Sequence, residues 1–251
     1  IDEVKLSDNI FLFPNRTIGN HDNVYEGEIR SSVFDARPCV IKFSEISAQN
    51  IREAEILTTL GSHTNVIAMI QAGTYNDVFG DRLYIALDKC HHENLRQYLA
   101  NRRDAGTEFD LDQALDFTKQ IIDGVMYIHD NNVIHLDLKP SNILISQNLS
   151  LIKVADFGLS IKVKSSKSKV LVKGQFGTNG YRPIESFGNG EVSMRSDIFS
   201  LGVLLLHVLS NGNDVFGCDE HTFIHNVMND ITNTFGLLSR TKTFLHILEC
   251  F

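Results

Sequence analysis

Residues Val133 to Ser146 read VIHLDLKPSNILIS, and VADFG follows at Val154 to Gly158. Asp137 and Asn142 stand five residues apart, and Asp156 comes nineteen residues after Asp137. Each offers an oxygen of the hard type that coordinates magnesium or accepts the proton of a hydroxyl group. Lys139 adds a cation to the same short loop. Leu136 is out of keeping with it: an apolar residue stands between His135 and Asp137, where a base is expected.

Outward from this loop, the chain changes character near Cys90. Before it, IFLFP, VYEGEIR and PCVIKF read as strands, and VIAMIQAGTY and DRLYIALDKC as a strand pair turning at Gly80-Asp81. Between them Ile51, Ala54, Leu57 and Leu60 recur at helical spacing. After Cys90, Leu95, Tyr98 and Leu99 mark a short helix. Leu111, Ala114, Leu115, Thr118, Ile121, Ile122, Val125 and Met126 mark a long one. NILIS and LIKVADF read as short strands, a lysine- and serine-rich stretch as a polar loop, and a further helix is expected from about Ser196. A β-rich first third joined to a helix-rich remainder predicts an α+β, two-lobed fold, with lobes over 1–90 and 91–251.

Composition narrows the function classes. Apolar residues make up 43% and charged residues 22% of the 251, as in an ordinary folded protein. The net charge of −8 argues against a nucleic-acid surface through this domain. The four cysteines are widely spaced with no C-x-x-C pair, which fits a reducing, cytoplasmic compartment. The apolar run Leu201 to Leu209 is far too short to span a membrane and reads as a buried helix.

HLDLKPSN followed by ADFG resembles the catalytic and magnesium loops of the protein kinases, and the LKPSN wording resembles the serine/threonine kinases. That resemblance implies ATP and Mg2+ as ligands and a protein hydroxyl, or the chain itself in trans, as acceptor. It casts Asp137 as proton acceptor, Lys139 as the neutraliser of charge on the transferred group, and Asn142 and Asp156 as magnesium ligands. Cys39-Val40-Ile41-Lys42 resembles the strand whose lysine grips the phosphates, with Glu53 as its ion-pair partner. The interval of eleven residues is short, so Glu55 and Glu45 stay open as substitutes. Gly19 falls in the stretch similar to a glycine-rich phosphate loop, though His21 and Asp22 stand where glycine suits close phosphate approach. Leu87 falls at the gatekeeper position, and Asp88-Lys89-Cys90 would offer hinge backbone groups to adenine.

Further on, GTNGYRPIE resembles the end of an activation segment, with Thr178 as the threonine that bonds the catalytic aspartate and lysine. Its Pro183-Ile184-Glu185 keeps only the final Glu of the family's A-P-E. Ser165, Ser166 and Ser168, set among lysines, read either as phosphate acceptors or as part of a solvated loop. Asp197 matches an aspartate that braces the catalytic loop. Finer wording, from NVIAMIQAGTY through GTNGY, is similar to the inositol-requiring stress-sensor kinase–ribonucleases and to ribonuclease L. It implies a kinase domain that dimerises and switches on an attached RNA-cleaving domain. In the wider family an arginine precedes the catalytic aspartate and docks a phosphorylated activation segment; Leu136 cannot form that charge-assisted bond. Three functions follow: an active kinase, a nucleotide-operated switch, or a scaffold without nucleotide.

Overall fold

A computed structural model describes residues 3–18, 23–32, 35–78, 80–90, 93–107, 110–146, 148–172, 176–183 and 190–213. Its first part is an antiparallel sheet of β1 (Val4–Lys5), β2 (Ile10–Thr17), β3 (Val24–Ser32), β4 (Asp35–Glu45), β5 (Met69–Asp77) and β6 (Gly80–Asp88). The strands lie in the order β1-β2-β3-β4-β6-β5. Strand side chains alternate between faces. On β4 this buries Cys39, Ile41 and Phe43 against Ile10, Leu12 and Tyr84, and turns Val40 and Lys42 to the opposite face. The β5–β6 turn differs from expectation: Gly80 and Asp81 already pair with Asp77 and Asn76, so the chain reverses around the exposed Val78.

Helix α1 (Ala48–Leu60) begins where the Ser47 hydroxyl accepts the Asn50 N–H, and stops at Gly61, whose φ of 59° is left-handed. Its buried stripe is Glu53, Ile56, Leu57 and Leu60, whereas Ile51 is exposed. The apolar pattern therefore placed the face slightly wrong. A buried glutamate lies within it, and apolar periodicity does not register a carboxylate.

The second part holds α2 (Leu95–Asp104), α3 (Leu111–Asp130) and α4 (Met194–Leu209). Reciprocal capping by Asn94 and Gln97 starts α2, and by Ser193 and Ser196 starts α4 two residues before the expected point. On α3 the buried residues are Ala114, Phe117, Thr118, Ile121, Gly124, Val125 and Ile128, while Met126 is exposed. Gly124 explains the rotation of that face. A Cβ there would lie 2.5 Å from the Asn65 carbonyl oxygen, so only glycine lets the helix approach the loop before β5 so closely.

Between α3 and α4 run β7 (Val133–Ile134), a 3-10 turn at Pro140–Asn142, β8 (Ile143–Ile145), β9 (Ile152–Val154), β10 (Ile161–Lys162), β11 (Val170–Val172) and β12 (Gly190–Val192). They pair antiparallel as β7–β10, β8–β9 and β11–β12. The stretch expected to be a polar loop thus contains two strands. The architecture is the expected α+β, two-lobed one. A main core joins α1, β6 and all three later helices to β8 and β9. Backbone bonds Ile67 N–H to Val154 O (2.9 Å) and Val154 N–H to Asn65 O (2.9 Å) tie the lobes. Among the described residues no helix is long and apolar enough to cross a membrane.

Candidate active site

The polar groups of the opening stretch converge on Asp137. Its carboxylate accepts from Thr178 Oγ1 at 2.7 Å through Oδ1 and from Asn142 Nδ2 at 2.9 Å through Oδ2; Lys139 Nζ lies 2.8 Å from Oδ2. Lys139 Nζ also donates to Thr178 Oγ1 at 2.7 Å, which closes a ring of three side chains. Asn142 Nδ2 donates a second bond to the Asp137 carbonyl at 2.8 Å. Both contacts use the amide nitrogen, so the amide oxygen is left for another ligand. The local chain explains this convergence. Pro140 starts the 3-10 turn, and that turn brings Asn142 back over Asp137.

Opposite them, Lys42 Nζ meets Glu53 Oε1 at 2.8 Å and Oε2 at 3.0 Å, and Asp156 Oδ1 at 3.6 Å. Of the three glutamates left open by the sequence, Glu53 is the one at this lysine. Glu45 ends β4 opposite Arg82, and Glu55 faces a groove beside Arg52 and Thr59. Burial is the largest single influence on Lys42 and pushes its pKa down. The Glu53 and Asp156 carboxylates together outweigh it, so the ammonium is held above its ordinary range. The side chain of Asp156 is half exposed, and its backbone is left-handed at φ 67°. Gln49 of α1 donates to the Gly158 carbonyl at 2.9 Å, joining the helix that carries Glu53 to the loop that carries Asp156.

At the hinge, the Asp88 N–H donates to Ala68 O at 3.1 Å, and the Cys90 amide makes no hydrogen bond among the described residues. The Cys90 side chain belongs to the core, and burial pushes its thiol up to about 11. Lys89 turns instead to Glu26 on β3, at 2.6 Å. Gly19, with His21 and Asp22, lies outside the described residues, as do Ile184 and Glu185.

The loop is braced from behind. Asp197, fully buried, accepts the backbone N–H of His135 at 2.7 Å and of Leu136 at 2.8 Å, and lies 2.9 Å from His129 Nε2. His135 Nε2 lies 3.1 Å from the Ala155 carbonyl while Nδ1 accepts the Asp137 N–H at 3.2 Å, which assigns the ring proton to Nε2. Ser160 Oγ donates to the His135 carbonyl at 3.0 Å. His129 and Ser160 went unread in the sequence, and His135 was noted in the loop without this role. A histidine in the last turn of a helix carries no pattern of its own, and its partner Asp197 is sixty-eight positions away.

The donor set fits a hard cation. The Asn142 amide oxygen and the Asp156 carboxylate are available oxygen donors, and the Ala155 N–H donates to the Asn142 backbone carbonyl at 2.9 Å, which brings their two loops together. Among the described residues no group of three or more His, Cys, Asp or Glu side chains could hold a metal alone. Magnesium is bound in general by one or two carboxylates, with phosphates and water completing its shell, and oxygen donors of this kind are compatible with it.

Comparison with known proteins agrees. Residues 35–246 match the family model described as "Protein kinase domain". The chain belongs to that family. Similar proteins include serine/threonine-protein kinase PLK4 of Xenopus laevis, 34% identical over 59% of this chain and 15% of its own length. An Aurora kinase of Yarrowia lipolytica is 33% identical over 65% of this chain and 40% of its own. Aurora kinase A-A of Xenopus laevis is 32% identical over 81% and 47% respectively. The chain spans less than half the length of these relatives.

Proposed function

We propose that this protein kinase domain transfers the γ-phosphoryl group of ATP to a serine or threonine hydroxyl of a protein, its own chain in trans included. The observation that carries this reading is the ring of Asp137, Lys139 and Thr178, with Asn142 on the same carboxylate. Asp137 accepts the proton of the attacking hydroxyl, and its three partners aim the carboxylate so that little reorganisation is needed. Lys139 offsets the charge that develops on the phosphoryl oxygens. Lys42, kept charged by Glu53, holds the α- and β-phosphates. Asn142 and Asp156 would hold magnesium, which when bound neutralises the phosphates. The Asp88-to-Cys90 hinge, with Gly19 and the loop around it, would seat the nucleotide.

The serine/threonine assignment draws on the LKPSN wording and on the named relatives. Lobes over 1–90 and 91–251 and a cytoplasmic setting belong to the same proposal; the buried free thiols Cys39 and Cys90 are compatible with that setting. The finer placement beside the inositol-requiring kinase–ribonucleases rests on sequence resemblance. It adds a homodimer whose nucleotide occupancy controls an attached RNA-cleaving domain.

The test is nucleotide binding followed by transfer. Millimolar ATP with magnesium is expected to raise the melting temperature, since a ligand that binds only the native state stabilises it. Labelled phosphate is expected on the protein and to vanish in Asp137→Asn. Equal labelling of both proteins rejects Asp137 as the base. A shift with ATP or ADP but no transfer supports the switch alone, and no shift with either removes both readings.

A further inference from the structure

Leu136 adopts a left-handed backbone, φ 68°, a conformation that costs a non-glycine residue on the order of 1–3 kcal/mol unless its surroundings enforce it. Asp197 supplies that enforcement by accepting two successive N–H groups, from His135 and Leu136. The result turns the Leu136 side chain away from the polar ring. It is buried in a separate apolar cluster with Ile134, Val163, Phe176 and Val192. Ile161, Val170 and Val172 pack against the edge of that cluster.

The segment's own sequence suits this docking. In IKV (161–163) and KVLV (169–172), lysine or leucine alternates with the residues that join the cluster, so period-two geometry sends Lys162, Lys169 and Leu171 outward. Two strand pairs carry the segment over the loop: Ile161 opposite Ile134, and Val170 opposite Val192. Past Phe176 the chain crosses directly above Leu136. Gly177 has φ 75°, and a Cβ there would lie 3.1 Å from the Leu136 carbonyl oxygen. The next residue is Thr178, whose hydroxyl sits between Asp137 and Lys139.

We infer that Leu136 is a positioning residue: with Phe176 it forms an apolar lock that seats residues 161–172 and 176–178, and so places the Thr178 hydroxyl on Asp137, without a phosphate. Apolar contact needs no modification to form, whereas an arginine at this position would need an anion brought to it. Ser165, Ser166 and Ser168 then lie in a turn between two strands that are already docked. Their phosphorylation is not required for the catalytic geometry. The lock rests on the phosphoryl-transfer reading for its consequence, but its structural half can be measured without any activity.

The experiment uses the whole chain, stripped of phosphate by a phosphatase and verified by mass. Amide exchange is read over 161–172 and 176–183, and kcat and KM for ATP are read beside it. Dephosphorylated protein, and a Ser165→Ala/Ser166→Ala/Ser168→Ala variant, are expected to keep slow exchange in the segment and kcat within about twofold of the phosphorylated form. Leu136→Ala and Phe176→Ala are expected to speed exchange there and lower kcat by about tenfold or more, with KM for ATP little changed. Leu136→Met is expected to restore both. If a truncated variant does not fold, Val170→Ser at the cluster's edge carries the same comparison. Fast exchange in dephosphorylated wild type, or full kcat in Leu136→Ala and Phe176→Ala, overturns the lock. If the wild type transfers no phosphate in any state, the functional reading fails, and the exchange data alone decide the lock.

Discussion

Two environments meet across the peptide bond between Leu136 and Asp137. On the Asp137 side, four polar side chains join through directional bonds of 2.7 to 2.9 Å. On the Leu136 side, side chains without a polar atom fill a cluster that has no directional bond among them. The two differ in what each tolerates. The polar ring depends on the identity of each atom, because an orphaned buried donor or acceptor loses its hydration with no replacement. The apolar cluster depends on volume and shape, and accepts a different hydrocarbon of similar size. The polar groups to which the chemistry is assigned in the proposed function thus lie on one side of a single residue step, and the seating of the segment on the other.

Asp197 is where that separation can be broken at one stroke, since it holds the two successive peptide N–H groups, of His135 and Leu136, that lead into this step. Asp197→Ala leaves the N–H groups of His135 and Leu136 buried without an acceptor. A loss of about 2–5 kcal/mol is expected, read as the shift in urea midpoint at constant slope. Transfer activity is expected to fall with it even where the protein stays folded, because the left-handed turn at Leu136 relaxes and moves Asp137 and the docked segment together. Retention of both stability and activity would show that the two environments do not share this brace.

A change confined to the polar side comes next in size. Glu53→Gln removes the first counterweight to the burial of Lys42 and leaves Asp156 at 3.6 Å as its carboxylate neighbour among the described residues. With burial no longer outweighed, the lysine pKa is expected to drop from above its ordinary value toward or below it, measurable by NMR of the side chain. The sign follows from the charged form, which the carboxylate favours and burial disfavours. The kcat/KM is expected to fall by about 10- to 100-fold, while amide exchange over 161–172 stays slow. Fast exchange there would mean that the apolar side leans on the polar one.

How much of this was legible in the sequence follows the same division. Asp137, Asn142 and Asp156 could be singled out by residue type and interval, Lys139 and Lys42 by resemblance to family motifs, while Glu53 was left beside Glu55 and Glu45 until the structure placed it at Lys42. The sheet strands β2 to β6 were readable from their period-two runs. The apolar cluster was not read, because its members come from four places in the chain, and β10, β11 and β12 are two or three residues long. Alternation in IKV and KVLV was present as a signal, but the surrounding lysines and serines made the stretch read as a solvated loop. The faces of α1 and α3 were misplaced for reasons outside hydrophobicity: Glu53 is buried for its charge, and Gly124 for its lack of a side chain.

Gly124 permits a control on the stability of the frame that touches neither environment. Gly124→Ala puts a Cβ against the Asn65 carbonyl at 2.5 Å, a backbone atom that cannot swing away. The overpacking costs about 1–3 kcal/mol, and the better helix propensity of alanine returns at most about 1 kcal/mol. A net loss of about 1–2 kcal/mol is expected, with KM for ATP unchanged. A stabilised variant would mean that the contact between α3 and the Asn65 loop yields more easily than its distance implies.

The smallest effect is expected at the two buried thiols, and it tells local loosening from global unfolding in every variant above. Burial pushes Cys39 and Cys90 from 9.0 up to about 11. A raised thiol favours the native state below pH 9, and that contribution is lost as the pH climbs from 9 toward 11, where the unfolded chain ionises first. At pH 8 the thiolate fraction of a buried thiol is therefore about 100-fold below that of an unfolded one, and alkylation slows at least in proportion. Wild-type protein treated with iodoacetamide at pH 8 is expected to remain unlabelled at both positions. Leu136→Ala and Glu53→Gln should match it if each disturbs only its own side of the Leu136–Asp137 step, because Cys39 lies behind β4 and Cys90 in the main core. Rapid labelling at both in either variant would show that the molecule loosened as a whole, and the loss of activity would then say nothing about the lock or the ion pair.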